Sequence, residues 1–325
     1  MSKPKLLSTH VLFESPRQKL AQHFEVDYWT GEERPTRDEF LKRLAGKDAL
    51  ICLLTEKIDR EALETAGPNL RIVANVAVGY DNIDVPACTS HRVAVTNTPG
   101  VLDETTADFA WTLLMATGRR LIEADRLARS GAWTRWNLDQ LCGTDVWGKT
   151  LGIVGLGRIG RAVARRAAGF RMRVLYHNTK RAPVEIEKEL NAEYVSRDAL
   201  FEQSDFISLH VPLNDATRGL IGPAELAKMK RSAFLINTTR GPVVQEAALI
   251  EALERGQIAG AGLDVFEREP LIPDGLRRDN VVLAPHLGSA SIETRTKMAM
   301  IAVENAAAFF SGQRPPTILN PEVLL

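Results

Sequence analysis

Three ionisable residues in the second half of the chain have side chains that could together reduce a 2-keto acid: Arg240, Glu269 and His286. A histidine can deliver a proton to a forming alkoxide near neutral pH, and a carboxylate beside it favours the imidazolium and fixes its tautomer. The forked guanidinium of an arginine can bind the substrate carboxylate at two points while it polarises the carbonyl. Because each residue is expected at a strand end, we expect the three to support hydride transfer together.

Each member of this trio also has a structural interpretation. Arg240 is compatible with a surface ion pair, Glu269 with an exposed turn before Pro270, and His286 with a hydrogen-bonded histidine at a strand end. A dinucleotide motif earlier in the chain favours the catalytic interpretation of the set, since hydride transfer needs a nicotinamide cofactor.

A glycine-rich segment provides that motif. Leu151–Val154 is an apolar run typical of a buried parallel strand, and a helical pattern begins at Arg161. Between them, Gly155 permits a tight turn, Gly157 lets a pyrophosphate approach the backbone, and Gly160 lets the helix pack on the strand. The first N–H groups and the dipole of the helix favour phosphate. A glycine-rich packing turn is the alternative, but we predict that the cofactor binds the whole turn: Gly155, Leu156, Gly157, Arg158, Ile159 and Gly160.

The end of the next predicted strand indicates which dinucleotide binds. NAD-binding folds commonly place an aspartate or glutamate about 20 residues after the glycines, where it bonds the ribose hydroxyls. Here that place carries no carboxylate and contains Asn178, Thr179, Lys180 and Arg181. A hydroxyl and two cations suit a 2′-phosphate dianion. We therefore expect NADP(H) to be preferred, with NAD(H) as the second option; the alternative is that Lys180 and Arg181 are solvated loop charges.

Length and composition bound the remaining classes of protein. The chain of 325 residues is long enough for about two domains. Lysine plus arginine and aspartate plus glutamate both number 41, so the zero formal charge argues against a nucleic-acid partner. The three cysteines have neither a disulfide framework nor metal-ligand spacing, which predicts no metal and a reducing compartment. The N-terminus has neither a signal peptide nor a membrane span, so we predict a cytoplasmic protein without a membrane partner.

Short apolar runs alternate with helical patterns along the chain, which predicts an α/β fold with parallel sheets. The predicted strands end in Gly, Thr, Asn, Asp or His, and ligands of such sheets bind at the carboxyl ends of strands. Thr36 and Glu39 form a capping box at the start of a helix. Pro99-Gly100 is a candidate domain boundary, and one long helix is predicted from Glu104 to Ser130. The aromatic segment 132–148 is either an interface loop or a cover on its own domain.

Over nearly its whole length the sequence resembles the D-isomer-specific 2-hydroxyacid dehydrogenases. The resemblance rests on motifs spread along the chain: Val78–Asp84, Thr98–Gly100, Thr105–Asp108, Gly155–Gly160, His210–Pro212, Asn237–Val243, Leu263–Pro270 and Pro285–Gly288. Within that family, Gly131–Trp136 together with Leu141–Gly143 is similar to the reductases of glyoxylate and hydroxypyruvate.

The resemblance implies a fold and a partner. The implied fold has two Rossmann-like, doubly wound, parallel-sheet domains, with the cofactor domain inserted into the substrate domain. Residues 1–99 and 291–325 then form the substrate-binding domain. Residues 100–290 form the dinucleotide-binding domain, with a dimerisation helix and loop near 104–147. A homodimer is implied, in which Trp136 reaches the partner's active site.

The resemblance also implies roles for individual positions. Arg240 is similar to the substrate-orienting arginine, Glu269 to the carboxylate behind the histidine, and His286 to the proton donor. Asp264 matches the group that bonds the nicotinamide amide. The remaining contacts that we expect with the cofactor are those of His210, Val211, Pro212, Thr217, Asn237, Thr238, Thr239, His286 and Gly288. The remaining contacts that we expect with the substrate are those of Leu54, Val78 and Gly79.

The implied reaction is the NADPH-dependent reduction of glyoxylate or hydroxypyruvate to glycolate or D-glycerate. A broader reductase, acting on 2-ketogluconate or phenylpyruvate, is a second hypothesis, and a non-catalytic NAD(P)-sensing scaffold is a third. The absence of long disordered tails weighs against the scaffold. Three departures from the family pattern bear on substrate and cofactor. Gln245 replaces a frequent acidic residue, Asn75 and Ala77 lie in the expected substrate loop, and Asn178 replaces the acidic residue of NAD-using members.

Overall fold

The computed structural model describes residues 3–325 and contains two compact units. The first unit comprises the chain up to Leu102 together with Ser291–Leu325, and the second comprises Asp103–Ala290. No signal peptide is predicted at the N-terminus, but its first two residues, Met1 and Ser2, lie outside the described part of the chain. Each unit holds one parallel sheet flanked by buried apolar clusters, so the prediction of two Rossmann-like α/β domains is confirmed.

The first unit begins with short strands that alternate with helices, because apolar runs of about four residues are separated by helical segments, of which α2, α3 and α4 have a side-chain N-cap. Its sheet has the order β2-β1-β3-β4-β5, and each pair of neighbours is parallel. The direction of strand order reverses between β1 and β3, and ligands of open α/β sheets bind at such a switch point. These elements are β1 (Lys5–Ser8), α1 (Glu14–His23), β2 (Glu25–Tyr28), α2 (Arg37–Leu44), β3 (Ala49–Cys52), α3 (Arg60–Ala66), β4 (Ile72–Asn75), α4 (Val85–Ser90) and β5 (Ala94–Thr96).

The second unit contains a seven-stranded sheet with the order β12-β11-β10-β9-β6-β7-β8. The strand order reverses between β6 and β9, which makes their carboxyl ends the switch point of this sheet. Its elements are α5 (Asp103–Gly118), α6 (Leu121–Ser130), β6 (Thr150–Val154), α7 (Arg158–Ala167), β7 (Arg173–His177), α8 (Val184–Leu190), β8 (Ala192–Tyr194), α9 (Arg197–Gln203), β9 (Phe206–Leu209), α10 (Pro223–Lys228), β10 (Phe234–Asn237), α11 (Glu246–Glu254), β11 (Gly260–Leu263) and β12 (Val281–Leu283).

The last helix, α12 (Ile292–Phe310), belongs to the first unit, where it packs on α1, β3 and β4. Its buried small residues lie against the apolar face of that sheet. The tail that follows is fixed by Asn320, whose side chain accepts the Val95 N–H at 2.8 Å and donates to the Val93 carbonyl at 2.9 Å. The chain thus returns to complete the unit in which it began.

The predicted helix from Glu104 to Ser130 is wrong in one respect. Two helices, α5 and α6, occupy this stretch. The helical conformation is interrupted between them at Arg120, which has a positive φ of 52°. A residue whose backbone has this left-handed conformation cannot continue a right-handed helix. The capping box of Thr36 and Glu39 is confirmed, since both of its hydrogen bonds are present.

No helix within residues 3–325 is long and apolar enough to cross a membrane. In the same part of the chain, no cluster of three or more His, Cys, Asp or Glu side chains could hold a metal ion. Cys52 and Cys88 are buried, Cys142 is exposed, and all three are free thiols.

Candidate active site

Arg240, Glu269 and His286 all lie beyond the carboxyl ends of neighbouring strands in the second unit. Arg240 follows β10, Glu269 follows β11 and His286 follows β12. These three strands are adjacent and parallel, so their carboxyl ends lie at the same edge of the sheet. Each strand is a short, largely buried run, and Arg240, Glu269 and His286 lie in the loops that follow the strands.

His286 and Glu269 form a hydrogen-bonded pair. The imidazole Nδ1 lies 2.8 Å from Glu269 Oε2, and both side chains are about one-quarter exposed, at 24% and 29%. Glu269 Oε1 accepts the N–H of Phe266 at 3.1 Å, which fixes the carboxylate. Since an ionised carboxylate only accepts, the proton between them belongs to Nδ1, and Nε2 is directed away from Glu269.

The charge state of Glu269 suits this pairing. Burial raises the pKa of the Glu269 carboxyl, but the hydrogen bond and charge of His286, with help from the Arg240 guanidinium, outweigh burial and hold that pKa below its usual value. The carboxylate is therefore ionised at neutral pH, where it favours a protonated imidazole beside it.

Arg240 is held close to the Glu269 segment by a tight contact between two loops. A side-chain carbon at Gly241 would collide with the backbone of Phe266 and Glu267, so only glycine permits this approach. Arg240 also donates from a terminal nitrogen to the Thr239 carbonyl at 2.9 Å. The arginine fork is thereby positioned near the histidine–carboxylate pair rather than projecting freely from the surface.

Asp264 anchors the loop that carries His286. This buried residue accepts the Leu287 N–H at 2.6 Å and the Gly288 N–H at 2.8 Å through its two carboxylate oxygens, and its carbonyl accepts the His286 N–H at 2.8 Å. Burial raises the pKa of Asp264 to about 6, although the two N–H groups act against that rise. His286 itself has a positive φ of 55°, and such a backbone needs external support. Asp264 supplies that support through three hydrogen bonds.

Two glutamates that the sequence analysis did not single out brace the Glu269 segment from the other side. Glu246 Oε1 accepts the Glu267 N–H at 2.7 Å, and Glu267 Oε1 accepts the Glu246 N–H at 3.0 Å. Gln245, one of the departures from the family pattern, donates to the Gly219 carbonyl at 3.1 Å. The sequence could identify Glu246 as an acidic residue in the first turn of a helix. It could not identify the partner of Glu246, which is Glu267, 21 residues further along the chain.

The glycine turn lies at the switch point between β6 and β9. Gly155 has a φ of 100°, and a side-chain carbon there would lie 2.6 Å from the His210 carbonyl oxygen at the end of β9. A side-chain carbon at Gly160 would collide with the Gly155 carbonyl, which explains the close approach of α7 to β6. At Gly157, in contrast, nothing lies within 4 Å of such a carbon. The turn therefore presents bare backbone and open space at the start of α7, as a pyrophosphate requires.

Buried polar atoms near this edge provide a second test of whether a dinucleotide fits. Thr238 Oγ1 and His210 Nδ1 are buried without a hydrogen-bond partner among the described residues. Burial lowers the pKa of His210 to about 3, so its ring is neutral. Unpaired buried polar groups are rare and commonly mark a missing ligand or water. With the open space at Gly157, they fit the ribose and base of a dinucleotide.

The other predicted cofactor residues are distributed around the same strand ends. Asn237, at the end of β10, accepts from the Thr239 backbone and hydroxyl at 3.0 and 2.7 Å. Val211 and Pro212 follow β9, and the Thr217 hydroxyl donates to the Pro212 carbonyl at 2.6 Å. Thr217 therefore closes the turn after β9.

The four residues after β7 that the sequence assigns to the cofactor, Asn178–Arg181, differ in their contacts. Asn178 Oδ1 accepts the N–H of Leu156 at 2.6 Å and so supports the glycine turn. Arg181 makes a two-point ion pair with Glu187, with both N···O distances 2.8 Å. Thr179 and Lys180 are exposed. The Arg181 side chain is also exposed, at 61%, so the two adjacent cations differ in ion pairing rather than in exposure.

In the first unit, Val78 and Gly79 lie in a turn beyond β4. Their carbonyl groups accept from the side-chain amides of Asn97 and Asn75, each at 2.9 Å. Because the C=O and N–H of one trans peptide point in opposite directions, the N–H groups of Gly79 and Tyr80 face away from the two asparagines. Asn75 is fully buried, so this departure from the family pattern holds the turn in place.

Leu54 lies beyond β3, in a turn built around a buried glutamate. Glu56 accepts the Leu53 N–H at 2.8 Å and the Thr9 hydroxyl at 2.6 Å. Asn82 donates to the carbonyls of Leu53 and Glu56 at 3.2 and 2.9 Å. The backbone around Leu54 is therefore fixed by side chains that the sequence analysis did not single out.

Trp136 lies in the long segment between α6 and β6. Its side chain is 73% exposed. Helix α6 has no buried residue, and the exposed apolar side chains of this region are Leu121, Ile122, Trp133, Trp136, Leu138 and Trp147. Such a concentration of exposed apolar area is typical of a surface that another chain covers.

A turn suited to a pyrophosphate and a histidine–carboxylate pair suited to proton transfer occur at one edge of the second unit's sheet. This combination defines the class of nicotinamide-dependent oxidoreductases, in which the cofactor exchanges a hydride and the protein handles the proton.

Comparisons with known proteins identify the family. Residues 111–288 match the family model described as D-isomer specific 2-hydroxyacid dehydrogenase, NAD binding domain. The chain is 54% identical to a glyoxylate reductase of Korarchaeum cryptofilum, with 99% of this chain and 97% of that protein covered. It is 51% identical to a glyoxylate reductase of Thermococcus kodakarensis, with 99% and 98% covered. The chain therefore belongs to the D-isomer specific 2-hydroxyacid dehydrogenase family, and the resemblance inferred from its motifs is confirmed.

A solved structure agrees with this assignment. The NADPH-dependent glyoxylate/hydroxypyruvate reductase of Sinorhizobium meliloti, in complex with NADP and malonate, is 34% identical and matches with a TM-score of 0.86, covering 98% of each chain.

Proposed function

We propose that this dehydrogenase reduces glyoxylate to glycolate, and hydroxypyruvate to D-glycerate, with NADPH as the reductant. The observation that carries the proposal is the His286–Glu269 pair, 2.8 Å apart at the same sheet edge as the glycine turn. The relatives from Korarchaeum cryptofilum and Thermococcus kodakarensis are named glyoxylate reductases, which supports glyoxylate as a substrate.

His286 is the proton donor in this proposal. Its Nδ1 is held by Glu269, so the protonated ring presents its second N–H, at Nε2, to the carbonyl oxygen of the substrate. As the carbonyl carbon is reduced, the C=O double bond becomes a C–O single bond and its oxygen takes the Nε2 proton. The negative charge of Glu269 stabilises the protonated ring before the transfer.

Arg240 orients the substrate. Its fork can bind the carboxylate of a 2-keto acid at two points and place the adjacent carbonyl for reduction. Asp264 and the Glu246–Glu267 pair keep the loops of the trio in register, as their hydrogen bonds to backbone N–H groups indicate.

In this proposal the backbone of Gly155–Gly160 and the side chains of Thr238 and His210 would hold the cofactor. Bound there, a reduced nicotinamide supplies the hydride that the protein cannot. Asp264 accepts two backbone N–H groups and remains a candidate for the nicotinamide amide as well, because a carboxylate has about four acceptor sites.

NADPH is favoured over NADH because none of the residues 178–181, directly after β7, is acidic and Lys180 is exposed there. The absence of a negative charge removes the repulsion that a 2′-phosphate would meet, and a lysine attracts it. The solved relative from Sinorhizobium meliloti is named as NADPH-dependent and was crystallised with NADP.

In this proposal residues 1–99 with 291–325, which fall within the first unit, bind the substrate, and residues 100–290, which include the whole second unit, bind the dinucleotide. The turn at Val78 and Gly79 is suited to a carboxylate, because its two carbonyl groups are already bonded to asparagine side chains. Leu54 then contributes an apolar contact from the neighbouring turn.

The exposed apolar surface near 104–147 supports a homodimer in which Trp136 approaches the partner's active site. Sedimentation of the purified protein measures this directly. A monomer at micromolar concentration would contradict the dimer while leaving the chemistry of the trio intact.

A spectrophotometric panel tests the proposed reaction. Loss of NADPH absorbance is followed with glyoxylate, hydroxypyruvate, 2-ketogluconate and phenylpyruvate, and each assay is repeated with NADH. Glyoxylate and hydroxypyruvate are expected to give the highest specificity constants, and NADPH is expected to exceed NADH. Preference for phenylpyruvate or 2-ketogluconate would instead establish a broader 2-keto acid reductase. No oxidation with any of the four acids would contradict the enzymatic proposal and favour a cofactor-sensing scaffold.

A further inference from the structure

The loop between β7 and α8 is tied at both ends and open in its middle. At its start, Asn178 accepts the Leu156 N–H at 2.6 Å, and its carbonyl accepts the Tyr194 hydroxyl at 3.3 Å. At its other end, the Ala182 N–H donates to the Tyr176 hydroxyl at 3.0 Å. The loop therefore has a defined conformation before any cofactor binds.

The hydrogen bond at Ala182 depends on Glu187, which lies on α8 and binds the same Tyr176 hydroxyl. Glu187 is 9% exposed and accepts the hydroxyl proton of Tyr176, a fully buried residue, at 2.5 Å. The same carboxylate accepts two N–H groups of Arg181 at 2.8 Å each. The Arg181 fork first, and then the Tyr176 hydroxyl, lower the pKa of Glu187 to about 2. The carboxylate is therefore ionised over the whole working range and compensates the charge of Arg181.

This arrangement changes what Arg181 can do for a phosphate. Two of its donors point at Glu187, and its guanidinium carbon lies 5.8 Å from the centre of the Tyr194 ring, which limits its reorientation. A second anion would have to share an arginine whose charge is already balanced. Both cations are exposed, but Lys180 has no ion pair within residues 3–325, and the neighbouring Thr179 adds a hydroxyl.

We infer that Arg181 and Glu187 are positioning residues that shape the loop, and that Thr179 and Lys180 are the residues that distinguish a 2′-phosphate from a 2′-hydroxyl. This inference rests on the proposed preference for NADPH and specifies which of two adjacent cations produces it. Tyr176 links the pair to the buried strand, so the loop's shape depends on the core rather than on the cofactor.

Binding of adenosine fragments tests the assignment without catalysis. Calorimetry measures the affinity of adenosine 2′,5′-bisphosphate and of 5′-AMP, which differ only in the 2′-phosphate. Lys180→Met is expected to weaken the bisphosphate about tenfold, the effect of losing one charged hydrogen bond, and to leave 5′-AMP unchanged. Arg181→Met, the matched control of equal charge change, is expected to alter both affinities by the same factor. A selective loss in Arg181→Met with no loss in Lys180→Met would overturn the assignment.

Hydrogen exchange in the cofactor-free protein tests the positioning role independently. The amide of Ala182 is expected to exchange about tenfold faster in Glu187→Gln and in Arg181→Met, as local opening becomes about 1.4 kcal/mol easier. Amides of β6 serve as the internal control and should not change. Unaltered exchange at Ala182 in both variants would overturn the positioning role of Arg181 and Glu187. Equal affinity of the unsubstituted chain for the two fragments would instead overturn the NADPH preference and with it the role of Lys180. The exchange result would still test the positioning role of Arg181 and Glu187.

Discussion

Two regions along one sheet edge in the second unit, the catalytic end beyond β10–β12 and the nucleotide end beyond β6, are built on opposite principles. Beyond β10, β11 and β12, every reactive side chain is tied to another group: His286 to Glu269, Glu269 to the Phe266 N–H, and the His286 loop to Asp264. Beyond β6, the chain presents bare backbone, and Gly157 has open space where a side chain would be. The first end is defined by side chains that are present and the second by side chains that are absent.

The difference reflects what each end has to do. Proton transfer depends on the direction and charge of a few atoms, so the catalytic end needs bonds that restrict rotamers and maintain ionisation. Pyrophosphate binding depends on close approach to backbone N–H groups, so the nucleotide end needs glycine and a rigid turn. A substitution at the first end should therefore reduce turnover at constant cofactor affinity, and one at the second should do the reverse.

The largest effect is expected at His286. His286→Ala removes the proton donor and should lower turnover by about two to four orders of magnitude, the usual scale of general acid catalysis. Cofactor affinity, measured by fluorescence titration of NADPH, should change little. Turnover equal to that of the unsubstituted enzyme would remove His286 from its proposed role and break the comparison at its catalytic end.

Arg240→Lys tests whether geometry or charge matters in the substrate-binding arginine. The substitution keeps the positive charge but loses the planar fork, so the specificity constant for glyoxylate should fall by about a hundredfold. Steady-state kinetics measures this, with the NADPH dissociation constant as the control. Equal specificity constants would make Arg240 a structural residue.

Glu269→Gln sharpens the comparison through pH. The pKa of Glu269 is held below its usual value, so its charge is present throughout the neutral range. Without that charge a protonated imidazole is less stable, and the specificity constant should drop about tenfold to a hundredfold. The loss of activity that protonation of Glu269 causes on the acid side of the pH profile should also be absent in the variant. A pH profile that is merely scaled down, with its acid side unchanged, would argue that Glu269 only packs.

Gly157→Ala should affect the nucleotide end alone. The added methyl group enters open space in the cofactor-free protein, so thermal stability should be unchanged, while the dissociation constant of NADPH should rise roughly tenfold, or about 1.4 kcal/mol. Gly169→Ala is the matched control, because Gly169 also has nothing within 4 Å and lies away from the turn. Equal affinities of the two variants would contradict the placement of the pyrophosphate.

The smallest effect is expected from the ionisation of Glu187. Its pKa is lowered from 4.5 to about 2 in the folded protein, so the stabilisation by its charge is fully present above pH 4.5 and is lost as the pH falls toward 2. The free energy of unfolding of Glu187→Gln should therefore lie below that of the unsubstituted protein at pH 7, and the gap should narrow below pH 4.5. Urea unfolding at several pH values measures the gap, and a pH-independent gap would mean that packing, rather than charge, accounts for it.

Local patterns in the sequence were sufficient for much of the fold. Alternating apolar runs predicted parallel sheets, and the capping box at Thr36 and Glu39 formed because its partners are three residues apart. The break at Arg120 was missed, because helical periodicity continues across it and only the left-handed backbone at that residue interrupts the helix. The motifs also identified the family, which the comparisons confirmed.

The candidate site divides in the same way. The sequence by itself determined the glycine turn and the residue types of the trio, because turn chemistry and strand ends are encoded over a few neighbouring positions. Only the tertiary structure decided that Glu187 neutralises Arg181, that Asp264 holds the His286 loop, and that Gly241 presses against Phe266. These contacts depend on which strands become neighbours and on how deeply each group is buried. Strand order and burial are properties of the packed sheet, and no short stretch of sequence encodes them.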